Sequence, residues 1–302
     1  MSRRLIVTGA RGFVAGSVIA QALGTWEVHA LSRSPAFLER EGLHWHPLNI
    51  GDPAALRQCF RDVAPEAVIH TAALADIDYC EAHPDEAEQV NAEVPRQLAG
   101  LCAAVGARLI HCSTDNVFDG EQGNYSEEDP PGPLSVYARS KVKAEQYVAA
   151  MGQGAVAARV AVVMGFPVLG AGNSFLSRMV PRLASGQKLG VPNNEIRSPI
   201  DVITLGRALL ELAASPYTGC LHLAGNDILN RFDMVRRIAR RLNFDENLAV
   251  PNDPSGIPGR AARPRDVSLN NAKARILLKT SFCGLEEGLE RVLAFQSHAR
   301  PA

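Results

Sequence analysis

A phenol and an ammonium stand four residues apart in "YARSK", Tyr137 to Lys141. On a helix, side chains at i and i+4 share one face, so the two would lie side by side. Tyrosine ordinarily has a pKa near 10 and gives up its proton poorly at neutral pH. A cation beside it stabilises the phenolate, lowers that pKa and makes the phenol a usable general acid. The lysine is a rare choice in this chain, where only five of the 31 lysines and arginines are lysine. Its compact three-donor head suits hydroxyl oxygens better than arginine's planar fork does. Upstream, "LIHCSTDNVFDG" reads as a strand whose carboxyl end delivers Ser113, Thr114 and Asp115, the place where open parallel sheets bind ligands. From there the Thr114 hydroxyl can hold a carbonyl oxygen that Tyr137 protonates.

These groups need a sheet to carry them. "RLIVTG", "WEVHAL", "EAVIHTAA", "ARLIHCS" and "AVAARVAVVM" read as strands, and Gly12 to Leu23, Asp85 to Val105 and Leu134 to Met151 carry helical spacing. Such alternation implies βαβ units, and runs apolar on consecutive residues imply helices over both faces. In "LIVTGARGFVAGSV" a strand, a tight turn and a helix start follow one another. Gly9 permits the sharp turn, Gly12 lets backbone approach a pyrophosphate, Ala15 stands where a third glycine is common, and the helix N-terminus offers free N–H groups. The second strand ends at Ser32 and Arg33 with no acid for a ribose 2′-hydroxyl. A hydroxyl and a guanidinium suit a 2′-phosphate, which favours NADP(H) over NAD(H).

After about Met164 the pattern loosens into loops rich in Gly, Pro and Asn, and long loops in compact enzymes are usually functional. The expected fold is α/β, a Rossmann-type doubly wound parallel sheet with a smaller C-terminal substrate-binding lobe. Residues 1–163 are assigned to the NADP-binding domain, with 200–225 returning to it, and 164–199 with 226–302 to the lobe. Apolar content of 46%, charged content of 21% and a net charge of −1 fit an ordinary globular protein and argue against a nucleic-acid binder. "RRIARR" at Arg236 to Arg241 is read as a solvated helical face. Six scattered cysteines without C-x-x-C spacing are expected as free thiols in a reducing cytoplasm, with Cys112 and Cys220 in buried strands. His44 and His46 share a strand face, but no third ligand lies nearby in sequence, so no metal is expected. No signal peptide and no membrane span are expected.

The T-G-x-x-G-x-x-A spacing resembles the extended short-chain dehydrogenase/reductase superfamily. "STDNVFDG", "YSEEDPPGP" and "YARSKVKAE", with "AALADIDYCE", "VN" at Val90 and Asn91, "GNSF", "PNNEIRSPI" and "RPRDVSLNNAKA", resemble the dTDP-4-dehydrorhamnose reductase family over nearly the whole chain. The resemblance implies an oxidoreductase that reduces a nucleoside-diphosphate 4-keto-6-deoxy sugar, with Thr114, Tyr137 and Lys141 catalytic. It implies cofactor contacts from Gly9, Arg11, Gly12, Phe13, Val14, Ser32, Arg33, Asn49, Ile50, Thr71, Ala72 and Ala73, besides Tyr137 and Lys141. Substrate contacts would come from Asn116, Val117, Asn173 and Arg197. Asn116, Arg197 and Thr204 depart from the family pattern on the sugar side and leave the particular sugar open. A nucleotide-sugar epimerase or dehydratase, or a non-catalytic subunit similar to the methionine adenosyltransferase β subunit, are the alternatives. A nucleotide sugar is the expected partner, with no nucleic acid and no membrane, and a homodimer is allowed.

Overall fold

A computed structural model describes residues 3–299 of the chain apart from 171, 173 and 255. In chain order its strands are β1 (Arg3–Thr8), β2 (Trp26–Ser32), β3 (Leu43–Pro47), β4 (Ala67–His70), β5 (Arg108–Thr114), β6 (Ala155–Val160) and β7 (Val163–Met164). They continue as β8 (Leu189–Pro192), β9 (Ile196–Arg197), β10 (Ile200–Asp201), β11 (Gly219–Leu223), β12 (Leu229–Asn230) and β13 (Ala249–Asn252). The helices are α1 (Phe13–Ala22), α2 (Pro53–Val63), α3 (Ile77–Ala82), α4 (Pro84–Glu88), α5 (Val94–Val105) and α6 (Val136–Ala150). After them come α7 (Phe175–Ala184), α8 (Val202–Ala214), α9 (Arg231–Arg241), α10 (Ala272–Leu277) and α11 (Leu285–Ala299).

Seven strands form one parallel sheet in the order β11-β6-β5-β4-β1-β2-β3. Alternate residues of each strand serve opposite faces. Leu5 and Val7 of β1 pack with Val18, Ile19, Leu205 and Leu209 of α1 and α8. Ile6 between them packs with Leu56, Phe60, Leu98 and Cys102 of α2 and α5. That double covering is why the strands read as continuous apolar runs. The segment at 200–224 supplies α8 against α1, and β11, which pairs with β6 from Gly219↔Val156 to Leu223↔Val160. A separate apolar cluster beyond the sheet joins Met164, Leu176, Met179, Leu189, Met234 and Ile238. Among the described residues no helix is long and apolar enough to cross a membrane.

Local chemistry sets the helix ends. Asp52 accepts from the amides of Ala54 and Ala55 ahead of Pro53, and Ser135 accepts from Ala138 at the start of α6. Both are ordinary N-caps. The helical spacing over Asp85 to Val105 becomes α4 and α5 with a π-helical turn at Gln89–Glu93 between them. Asn91 in that turn accepts from Leu74 N at 2.8 Å and donates to Leu74 O at 3.0 Å and Ser140 Oγ at 3.2 Å. The turn thus ties the loop after β4 to α6, one of the uses to which π-bulges are put.

Some local expectations need correcting. Cys112 and Cys220 lie in strands but are only half-buried. His44 and His46 do have a third histidine beside them, because parallel pairing sets His29 opposite His44 and brings its Nδ1 within 2.9 Å of His46 Nε2. Even so, no group of three or more ligating side chains among the described residues could hold a metal ion. In α9, Arg236 pairs with Glu246 at 3.2 Å, Arg237 with Asp227 at 2.9 Å and Arg241 with Glu290 at 2.9 Å, so this basic face is neutralised within the protein.

Under α6 lies a buried ion pair. Glu145 accepts from Arg159 Nη2 at 2.9 Å and Nε at 3.1 Å, and from Ser113 Oγ at 2.5 Å. The two charged side chains are only 10% and 6% exposed. Removing one partner strands the other charge in a dry interior. Arg159→Leu is therefore expected to destabilise the fold by about 3–5 kcal/mol in chemical denaturation, and the double variant Glu145→Leu/Arg159→Leu to recover much of that loss.

Candidate active site

The glycine turn is built by contact. Gly9 has φ +65°, and a Cβ there would sit 2.9 Å from Ala72 Cα, so a side chain fails on both conformation and space. Gly12 closes the turn by donating to Gly9 O at 2.7 Å, and as N-cap of α1 it brings no side chain to the first amides. Those amides remain available to an anion. Just after β4 the Thr71 hydroxyl donates to Thr8 O at 2.8 Å, tying the end of β1 to the residue that leaves β4. Beyond β2, Ser32 Oγ accepts from Ser34 N at 3.1 Å while Arg33 is exposed. Arg11 donates to Pro35 O at 3.2 Å and lies 4.8 Å from the Phe37 ring centroid, on the same side of the turn. Asn49 Oδ1 accepts from Gly51 N at 3.1 Å, and Ile50 packs beneath α2.

A cavity of about 420 Å³ runs from Val14, Thr71 and Ala73, past Thr114, Tyr137 and Lys141, to Glu195, Arg197, Arg231 and Arg263. Thr114 ends β5 and caps the short turn Asp115–Val117 by accepting from Asn116 N at 3.2 Å. Asn116 Nδ2 donates to Asp115 Oδ1 at 2.7 Å. The other carboxylate oxygen, Asp115 Oδ2, is buried without a hydrogen-bond partner, with Arg197 Nε 3.9 Å away. Burial pushes the Asp115 pKa up, opposed by Arg197, Thr114 and Asn116.

Tyr137 and Lys141 do stand on one face of α6, but their electrostatics differ from the pattern read in sequence. Burial holds the Tyr137 phenol well above its ordinary value, with a hydrogen bond to Thr114 pulling the other way. Lys141, 1% exposed, donates to Cys112 O at 2.6 Å and bonds His111 Nε2 at 3.1 Å. Burial lowers its pKa to about 8. The lysine therefore faces the strand, and desolvation dominates the tyrosine.

The far end of the cavity is a chain of acids and arginines that sequence reasoning largely missed. The Arg197 guanidinium donates to the carbonyls of Ile196, Arg265 and Pro264 at 2.7, 3.2 and 3.2 Å. It lines the cavity with its Nη1 donors and one on Nη2 already engaged. Glu195, 4% exposed, faces Arg231 at 3.3 Å, Arg197 at 3.8 Å and Arg260 at 2.5 Å. Burial pushes its carboxyl up, yet the three guanidinium groups outweigh that and hold it below the usual carboxylate range. Arg263 grips Asp78 of α3 through both oxygens, at 2.7 and 3.0 Å. The "RPRDV" segment was visible in sequence, but not the acids it meets.

Not every expected site residue reaches the cavity. Val117 is fully buried against Phe118, Tyr125, Val267 and Leu269, so its side chain serves packing rather than substrate. Gly9, Arg11, Gly12, Phe13, Ala72, Ser32, Arg33, Asn49 and Ile50 lie outside the cavity lining, on the turn and strand ends beyond it. Asn173 lies outside the described residues.

A carboxylate whose folded pKa is depressed adds stability above its unfolded value, and that stability is lost as pH falls through the folded one. Glu195 starts from an ordinary 4.5. The native protein is thus expected to lose stability as pH drops below about 4.5, whereas Glu195→Gln is less stable at neutral pH and shows a flatter acid limb. Denaturation midpoints at neutral and acid pH measure the difference.

The family model of the RmlD substrate binding domain matches residues 3–297. The chain is 36% identical over 271 residues to the dTDP-4-dehydrorhamnose reductase of Mycobacterium tuberculosis, covering 87% of this chain and 83% of that protein. It is also 30% identical over 299 residues to methionine adenosyltransferase 2 subunit beta of Bos taurus, covering 95% and 87%. Its structure superposes on the crystal structure of dTDP-4-dehydrorhamnose reductase from Bacillus anthracis in complex with NADP with a TM-score of 0.86 at 25% identity, covering 97% and 99%. A parallel seven-stranded sheet, a bare glycine turn and a tyrosine–lysine helix thus stand within a likeness that runs almost the full length of these proteins, and the chain belongs to the RmlD family of dTDP-4-dehydrorhamnose reductases.

Proposed function

We propose that the protein is an NADPH-dependent reductase of a nucleoside-diphosphate 4-keto-6-deoxy sugar, as the name of its mycobacterial relative describes for that protein. The observation that carries the reading is the meeting of Thr114, Tyr137 and Lys141 on one cavity. The glycine turn fits a dinucleotide, since Gly9 admits no side chain, α1 begins without a side-chain cap, and β2 ends without an acid beside Ser32 and Arg33. When bound, the reduced cofactor supplies the hydride that goes to sugar C4.

Tyr137 gives its proton to the C4 oxygen, so the carbonyl becomes a secondary alcohol and the phenolate is left to be reprotonated. Burial raises its pKa, so the phenol is protonated at neutral pH but gives up its proton less readily, and the hydrogen bond with Thr114 works against that cost. The Thr114 hydroxyl orients the same oxygen, and the Lys141 charge offsets the phenolate. Asn116 and Asp115 face the sugar, and Arg231 and Arg263 suit a diphosphate. Asn173 and Arg197 are retained on the sugar side, with Arg197 shaping the wall through the carbonyls it holds. Residues 1–163 with 200–225 serve the cofactor, and 164–199 with 226–302 the sugar nucleotide. The setting is a reducing cytoplasm, in keeping with the free cysteines.

Tyr137→Phe removes the proton donor and keeps the ring. Turnover of dTDP-4-dehydrorhamnose is expected to fall about 10²-fold or more, while NADPH binding changes by about 1 kcal/mol at most. Full activity in that variant refutes the mechanism. Tight NADPH binding without turnover of any keto sugar by the native protein would favour a regulatory subunit, the reading to which the bovine relative points.

The cofactor choice is tested separately by titrating NADPH and NADH. Native protein is expected to prefer NADPH, and Arg33→Asp to flatten or reverse that preference by repelling the 2′-phosphate. Equal or tighter NADH binding by the native protein overturns it.

A further inference from the structure

His111 is completely buried in β5, with His70 of β4 stacked on it at 5.3 Å between ring centroids. His70 bonds Thr8 Oγ1 through Nδ1 at 2.7 Å, and its Nε2 is buried without a hydrogen-bond partner. His111 likewise has one ring nitrogen engaged, but with a charged group. Its Nε2 meets Lys141 Nζ at 3.1 Å, and its Nδ1 is buried with no hydrogen-bond partner. Because an ammonium can only donate, Nε2 must accept and the ring hydrogen must sit on Nδ1, where nothing receives it. An unmet buried N–H is costly. The fold does not call for that cost, since the neighbouring core positions in the strand are Leu109 and Ile110. What offsets it is the bond to Lys141.

We propose that His111 is a positioning residue for the reaction: its imidazole and the Cys112 carbonyl together seat the Lys141 ammonium on β5, at the depth from which it serves Tyr137. The inference rests on the reductase reading above. The groups around Lys141 are His70 on β4, His111 and Cys112 on β5, and Tyr137 and Glu145 on its own helix. Burial, together with the Lys141 charge and His70, keeps the His111 imidazolium from forming, so His111 stays a neutral acceptor. Burial alone favours the neutral amine of Lys141, whereas an acceptor at hydrogen-bond distance favours the ammonium. His111 therefore keeps Lys141 charged further up the pH scale than its depth would allow.

The chain's five lysines make this directly readable. Lysines carrying ¹³C at Cε give few signals, and the one lost in Lys141→Arg is Lys141. Its titration midpoint in the native protein is expected near the value of about 8. In His111→Leu that midpoint is expected to fall by about one pH unit, a tenfold change in the proton equilibrium. The alkaline limb of kcat for NADPH and the keto sugar should move down equally, with kcat lowered about tenfold on that limb and KM for the sugar nucleotide within about threefold. His111→Gln, which presents an amide oxygen at similar reach, should restore most of both. If the leucine variant does not fold, His111→Phe fills the ring's volume without an acceptor and carries the same expectation.

A folded His111→Leu or His111→Phe protein with the native Lys141 midpoint overturns the inference, whatever its turnover. If that happens while Tyr137→Phe is inactive, the reductase reading stands and only the role of His111 falls. If the native protein turns over no keto sugar, the reductase reading fails, and the role of His111 in the reaction falls with it, even where the midpoint moves.

Discussion

Glu145 reaches from α6 to the Arg159 guanidinium on β6, and Lys141, one turn earlier on the same helix, is buried against the backbone of β5. A helix packed only through apolar side chains can slide or rotate at small cost, because dispersion and hydrophobic contacts have little direction. Two charged side chains that must each find fixed partners in a dry interior leave no such freedom. They fix α6 in rotation and in height, and Tyr137, another turn back, is carried to the end of β5 beside Thr114. Ser113 and Thr114, adjacent at the end of β5, both line the cavity and both meet α6. The first anchors Glu145 and the second bonds Tyr137.

At the far end of the cavity the same logic runs through arginine. Arg197 sits between Asp115 and Glu195 while bonding three backbone carbonyls, so it fastens the Pro264–Arg265 stretch to β9 and faces the strand end at once. Glu195 in turn gathers Arg231 and Arg260. A buried arginine at position 197 is therefore tolerable because acids and backbone carbonyls surround it, and its side chain shapes the wall of the cavity.

What was legible in the sequence followed single elements. The glycine turn, the i, i+4 pair and the strand-end hydroxyl depend on spacing within one strand, turn or helix, and the parallel sheet on apolar runs that both faces bury. What was not legible depends on packing between elements. The contact of His111 with Lys141 spans thirty positions and exists only because α6 lies over β5. His29 joins His44 and His46 through the pairing of β2 with β3, and the Arg197 donors meet carbonyls 67 and 68 positions away. Val117 follows Asn116 in sequence, but the short turn sends its side chain into the core. The lysine's charge was visible in advance, whereas the burial that raises the Tyr137 pKa was not.

The seventh strand carries a consequence for synthesis. β11 completes the sheet by pairing with β6, yet some sixty residues separate their starts, at Gly219 and Ala155, and that stretch includes α7 and α8. While the chain is being made, β6 is complete long before its neighbour emerges, and all six of its residues belong in the interior. Until then it is an open, apolar strand edge, the kind of surface to which other unfinished chains add. The nascent protein passes through its most adhesive stage with its tyrosine and lysine already made and its sheet still one strand short.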